Sequence, residues 1–186
     1  MPNLYLSLLH YPVVNKQGET IASAVTNLDL HDIARLSATY GVKAFYAVTP
    51  LEDQKILVEK IISHWTSGGG SRYNPSRQQA FESIRIKDSL EDVLNDIRLK
   101  DGQIPKTIVT CARQNHNSIG YHQLRNILKQ DMPFLLLFGT AWGLSPTVMS
   151  EADYILDPIS GNTDYNHLSV RSAASIILDR LIGEYQ

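Results

Sequence analysis

The sequence predicts an α/β protein, a mostly parallel sheet with helices on both faces. Three observations carry that expectation. Strand-like and helix-like runs alternate along the 186 residues, as parallel strands joined by helical crossovers require. With 43% hydrophobic residues the chain can bury a real core, yet no apolar run is long enough to cross a membrane. Neither an internal repeat nor a clear linker divides it, so residues 1–186 are expected to form a single domain.

Leu4–Leu9 opens the chain as a β-rich run. Leu28–Tyr40 carries Leu30, Ile33, Ala34 and Leu36 at helical spacing, with Thr26 or Asn27 as cap, Asp29 near the positive end and Gly41 as the stop. Lys43–Val48 is a second strand, ended by Thr49-Pro50, and Leu51–Trp65 a second helix with a stripe of Leu51, Val58, Ile61, Ile62 and Trp65. Thr66–Pro75, with its Gly68-Gly69-Gly70 run, is a break expected to be mobile. Phe81–Ile86 is a strand, and Ser89–Leu99 a helix begun by Asp88 or Ser89. Lys106–Cys111 and Pro133–Phe138 are strands flanking a helix over Ile119–Lys129. Ser145–Glu151 is a short helix, Tyr154–Leu156 a short strand, and His167–Ile182 the last helix.

The formal charge of −2 does not advertise nucleic-acid binding, but its distribution is uneven. Lys60–Phe81 has no acid against Lys60, Arg72 and Arg77; Gly102–Gln130 has none against Lys106, Arg113, Arg125 and Lys129. Folded onto one face, these stretches would make a mildly basic surface. The start Met1-Pro2-Asn3 lacks the basic flank and cleavage site of a secretory signal, and Cys111 has no second cysteine. A cytoplasmic protein is therefore expected. Familiar site signatures are missing. The glycine triplet follows a helix rather than a strand, GxSxG and HExxH do not occur, and His116 and His122 lack the companions of a metal site, so no metal is expected.

In a sheet of this kind ligands bind beyond the carboxyl ends of the strands. Three loops qualify: Thr110–Asn117, Gly139–Pro146 and Asp157–Asn166. The middle one interrupts an apolar strand with Gly139, Thr140, Ala141, Trp142 and Gly143, either as a tight turn or as a pocket floor where backbone approaches a ligand closely.

The order TIVTCAR (Thr107–Arg113), FLLLFGTAWGLSP (Phe134–Pro146) and YILDPISGNTDYNHLSVRSAASIILDRL (Tyr154–Leu181) resembles the cofactor loops of the SPOUT RNA methyltransferases. TNLDLHDIARLSATYGV (Thr26–Val42) is similar to the first motif of their ribose 2′-O-methylating branch, with Ile33-Ala34-Arg35 and Gly41 in register. Asp29 and His31 stand where that branch usually has Asn and Gly, and His167 where it has Asn. More narrowly, the chain looks like a bacterial SPOUT family compared with tRNA guanine-N1 enzymes. The resemblance implies a C-terminal deep trefoil knot, S-adenosylmethionine as cofactor, an RNA substrate (tRNA or rRNA) and a homodimer whose acceptor site is completed across subunits.

It also implies site residues. The cofactor would lie among Thr110, Leu137, Phe138, Gly139, Thr140, Trp142, Gly143, Leu144, Leu156, Pro158, Asn166, Leu168 and Ser169. The leucines and Phe138 would seat adenine and ribose, and the last helix would offer its first amides to the cofactor's carboxylate. Trp142 would line the pocket or a subunit contact, and the last helix, through Ala173, Ala174, Ile176, Ile177 and Leu181, would lie near the interface. The family's functional arginine falls on Arg35, for the acceptor group or an RNA phosphate; an ion pair with Asp32 is the plainer alternative. Asp164 is the position to test as base for a nitrogen acceptor, and equally a turn or capping residue. Apart from the resemblance, Arg72, Tyr73 and Arg77, cations beside an aromatic in the glycine-rich segment, and Arg113 are the RNA-binding candidates, with a flexible linker carrying incidental charges as the equal alternative. Base and ribose acceptors both stay open, as do a knotted module that binds without transferring methyl and an unrelated nucleotide-binding protein.

Overall fold

A computed structural model describes residues 2–184; Met1, Tyr185 and Gln186, the ends of the expected 1–186 unit, lie outside the described residues. Strands β1 (Leu4–Leu9), β4 (Phe45–Val48), β5 (Ile84–Lys87), β6 (Lys106–Thr110), β7 (Ser118–Ile119), β8 (Phe134–Gly139) and β9 (Tyr154–Leu156) form one sheet of seven, in the order β5-β4-β1-β8-β6-β9-β7. Every pairing in it is parallel. β8 sits between β1 and β6, and the chain then passes over β6 to lay β9 on its far side. A separate antiparallel hairpin, β2 (Val13–Val14) with β3 (Thr20–Ile21), was not expected from the sequence, nor was β7.

Side chains alternate across the central strands, as pleating dictates. Leu4, Leu6 and Leu8 of β1 and Phe134, Leu136 and Phe138 of β8 face one core. It is closed by α1 (Asn27–Thr39), α2 (Glu52–Thr66), α4 (Pro75–Phe81), α6 (Tyr121–Ile127) and α8 (Val170–Ile182). Tyr5, Leu9, Leu135 and Leu137 face the other, covered by α5 (Leu90–Asp101), α7 (Pro146–Glu151) and the hairpin. Thr26 caps α1 by accepting the Asp29 amide, and Ser89 caps α5 by accepting that of Asp92.

Four expectations need correction. The glycine-rich break folds into α3 (Gly69–Tyr73) and α4, because Asn74 caps α4 with Pro75 at its first turn and Gly70 packs on Trp65. A Cβ on Gly70 would stand 2.6 Å from the indole, so this glycine serves packing rather than a hinge. Leu51 is the 43% exposed N-cap of α2, outside its buried stripe. Helix α8 begins at Val170 instead of His167, because Ser169 caps it by accepting the Ser172 amide. The two acid-free stretches reach the same face of the sheet through α4 and α6, but α1 and α8 lie between those helices, so the stretches do not adjoin there. Among the described residues no helix is long and apolar enough to cross a membrane.

Candidate functional site

Because β8, β6 and β9 are neighbours, the loops that follow them meet at the carboxyl edge of the sheet. The loop after β8 is folded back on itself. A Cβ on Gly139 would lie 2.7 Å from the Leu144 amide nitrogen, so the strand must end in glycine for the loop to close. Ala141 and Gly143 both take left-handed conformations, with φ of 51° and 113°. The β2–β3 hairpin holds this turn in place. Trp142 donates its amide to Val14, Val14 donates to Gly143, and Ser145 donates to the Pro12 carbonyl, at 3.0, 3.0 and 3.2 Å. The Trp142 side chain is left 55% exposed.

Beneath the turn lies a polar chain. The Thr140 hydroxyl donates to the Leu9 carbonyl and lies 2.5 Å from Ser23 Oγ, which in turn lies 3.2 Å from His10 Nδ1. His10 is fully buried, and that burial lowers its pKa from 6.5 to about 4 against the opposing charge of Asp29.

The other two loops are tied to each other. Asn166 donates through Nδ2 to the Ala112 carbonyl at 2.8 Å, and Asp157 accepts from Ser118 Oγ and from Gln114 Nε2. Thr110 donates its hydroxyl to the Leu137 carbonyl, joining β6 to β8. Leu137, Phe138, Leu144 and Leu156 are buried, their side chains packed within the two cores of the sheet. Leu168 is exposed, Pro158 is half-buried, and Ser169 Oγ caps α8. Asp164 is exposed, with no side-chain partner among the described residues.

Helix α8 is fastened to α1 by Arg171, which pairs with Asp29 through Nη1 and with Asp32 through Nε, both at 3.2 Å. Asp32 is therefore engaged with Arg171, and Arg35 stands exposed with no ion-pair partner among the described residues. Eight residues into α1, Arg35 lies about 12 Å along the axis from its start. No hydrogen bond or ion pair joins it to the three loops among the described residues. Arg77 is half-buried with its guanidinium 4.6 Å from the centre of the Trp65 ring. Arg72, Tyr73 and Arg113 are exposed. In α8, Ala174, Ile177 and Leu181 cover the chain's own sheet, leaving Ala173 and Ile176 half-buried.

Sequence reasoning missed the supporting residues His10, Ser23, Asp157 and Arg171. The only local signal for the first was a histidine ending an otherwise apolar strand. The others act through contacts far along the chain. Among the described residues no three His, Cys, Asp or Glu side chains cluster as a metal site.

A family described as SAM-dependent RNA methyltransferases matches residues 3–183. A protein of Oleidesulfovibrio alaskensis named tRNA (guanine-N(1)-)-methyltransferase is 46% identical over 182 residues, covering 98% of this chain but 42% of that protein's length. The chain thus spans less than half of that relative. An Aquifex aeolicus protein is 42% identical over 182 residues, covering 97% of this chain and 89% of the other. A SpoU methyltransferase from Streptomyces viridochromogenes, solved with AdoMet bound, superposes with a TM-score of 0.56 at 19% identity over 98% of this chain and 58% of that one, a likeness of fold. With the match running over nearly its whole length, the chain belongs to the SAM-dependent RNA methyltransferase family.

Proposed function

We propose that residues 1–186 work as one S-adenosylmethionine-dependent RNA methyltransferase unit. The observation that carries this reading is the meeting of the three loops at the ends of β8, β6 and β9 around a turn with two left-handed residues. An alanine at φ 51° is uncommon, and a conformation of this kind persists when surrounding structure over-determines it, as the hairpin does here. The residues fit an adenosyl group: the turn at Thr140–Gly143 with Ala141 and Trp142 exposed, the loop over Thr110–Arg113, Leu156 with Pro158, and the Ser169-capped start of α8 facing the same edge. The bound cofactor supplies an activated methyl on a sulfonium. Transfer is an in-line displacement, so the chain's task is to align the acceptor and take its proton.

On this reading the main chain of the carboxyl-edge loops holds the cofactor, Asn166 fixes the loop that carries Asp164, and Asp164 takes the acceptor proton. Arg35 serves the acceptor side. Its distance along α1 from the loops supports a homodimer in which one subunit's Arg35 reaches its partner's cofactor, with Trp142, Ala173 and Ile176 near the interface. The insertion of β8 between β1 and β6, with the SpoU-type fold, supports a C-terminal trefoil knot. The name of the Oleidesulfovibrio relative makes N1 of a tRNA guanine the first acceptor to test, and a cytoplasmic setting follows from that substrate.

The test is radiolabelled methyl transfer to bulk unmodified RNA, with calorimetry for S-adenosylmethionine. Incorporation that disappears in Arg35→Ala supports the reading. Tight cofactor binding with no incorporation into any RNA fraction would instead identify a binding module. Failure to bind the cofactor in a folded protein refutes both.

A further inference from the structure

We propose that His31, Arg35 and Arg77 form one anion subsite that grips a single phosphate of the RNA backbone, with Trp65 as its floor. The proposal rests on the RNA-methyltransferase reading and deepens it by converting separate candidates into one site.

Arg77 does not sit on a hinged loop. Helix α4 packs against both α1 and α2, and the Arg77 guanidinium stacks on Trp65. The Trp65 ring also meets the His31 imidazole edge-on, with centroids 5.3 Å apart, and His31 packs on Phe81 at 4.6 Å. His31 and Arg35 lie one turn apart on the same face of α1. His31 thus packs against the ring that Arg77 covers and lies one turn before Arg35. Desolvation lowers its pKa first, and the charge of Arg77 lowers it further, with smaller effects of the same sign from Arg35 and His64. Asp32 pulls the other way, but its carboxylate is engaged by Arg171.

Neither Arg35 nor Arg77 has a carboxylate partner among the described residues, and the buried Nε of Arg77 has no hydrogen-bond acceptor there. With Arg77 stacked on the ring that His31 meets and Arg35 one turn further along α1, an anion beside His31 is attracted by both charges. A guanidinium fork matches two phosphate oxygens, and stacking on an indole sets the orientation of that fork in advance. An incoming phosphate would also draw a proton onto His31, adding a third donor. An aromatic floor suits a nucleotide better than a free ion, because the flanking base finds Tyr73, 88% exposed, one helix away.

The experiment measures affinity of the full chain for a short single-stranded RNA across a salt series, using wild type, Arg35→Ala, Arg77→Ala and the double variant. Arg77→Gln, which keeps a planar group over Trp65, replaces Arg77→Ala should the latter fail to fold. With one shared phosphate, each single variant binds about tenfold more weakly with little change in salt slope. The double variant then lowers the slope by about 0.7, the value of one single-strand phosphate contact. In the wild type, RNA binding should move the His31 imidazole titration to higher pH. A slope loss of about 0.7 in each single variant, summing in the double, means two separate phosphates and overturns the proposal. Unchanged RNA affinity in all variants overturns it too. Inorganic phosphate that shifts His31 and displaces no RNA would show a free-anion site and overturn the RNA assignment. A wild type that binds S-adenosylmethionine but no RNA defeats the parent reading instead.

Discussion

At the carboxyl edge of the sheet, polar groups are partnered within the protein. Trp142, Gly143 and Ser145 make main-chain bonds to the turn and its hairpin, Thr140 and Thr110 donate to strand carbonyls, and Asn166 holds Ala112. On the α1–α4 face, Arg35 and Arg77 carry charge with no carboxylate against either among the described residues. The first region is shaped by glycine, φ angles and neighbouring strands; the second is a set of donors awaiting an acceptor. A small cofactor of fixed shape is suited to a preformed main-chain mould, and a flexible polyanion to side-chain charge. Substitutions in the two regions should therefore fail in different measurements.

The largest effect belongs to Arg35. Arg35→Ala is expected to leave S-adenosylmethionine affinity nearly unchanged while slowing methyl transfer by about 2.7–4 kcal/mol, because the phosphate it holds positions the acceptor nucleotide, an effect placed on the scale of an oxyanion-hole donor. Paired calorimetry and single-turnover kinetics check it. If cofactor affinity collapses with the rate, the two regions are not separable and the comparison breaks.

The carboxyl edge has a pH signature of its own in His10. Its folded pKa, about 4, lies below the unfolded value of 6.5, so the neutral imidazole stabilises the fold fully above pH 6.5. That stability is lost as pH falls from 6.5 towards 4, by roughly 3 kcal/mol in all. Asp96, Asp101 and Asp153 are lowered from 3.8, so their losses come at more acid pH. Urea melts from pH 7 to 4.5 should show the wild type weakening and His10→Asn responding much less. Equal slopes in both proteins would take the effect away from His10.

The periodic elements were legible from the sequence because alternation and helical spacing are local. The continuous apolar runs at β1 and β8 and the stripe Leu30, Ile33, Ala34 needed no partner to be read. The hairpin was not, since β2 and β3 are two residues each and their role is to hold a turn that comes far later in the chain. Gly68-Gly69-Gly70 read as a break because nothing local says that Gly70 must lie against Trp65. That error also put Arg77 on a loop and hid its place beside His31. Asp29, a departure from the resembled motif, gained a meaning only through Arg171, on the last helix.

A smaller effect separates the two glycines of the turn. Gly143 has open space around its missing Cβ but a φ of 113°, whereas Gly139 is crowded by the Leu144 backbone. Gly143→Val is thus expected to act through strain, weakening S-adenosylmethionine binding more than tenfold, about 1.4 kcal/mol. Gly139→Ala should act through displacement of Leu144 and be visible as lost thermal stability even without cofactor. A folded Gly143→Val protein with normal affinity would remove that turn from the cofactor site.

The smallest effect comes from the arginines that touch least. Arg72 is exposed on the short helix α3, and Arg113 is exposed in the loop after β6, beside the proposed cofactor site. Neither has an ion-pair partner among the described residues, so each is free to meet a phosphate, but neither is held by stacking as Arg77 is. Loss of one such contact should lower the salt slope of single-strand RNA binding by about 0.7 and leave the rate at saturating RNA unchanged. Because the two residues lie over opposite ends of the sheet, their losses should add in the double variant. Additivity here, set against the shared phosphate proposed for Arg35 and Arg77, distinguishes scattered charge from a built subsite. A double variant no weaker than either single one would mean that the RNA follows a path that does not pass both ends of the molecule.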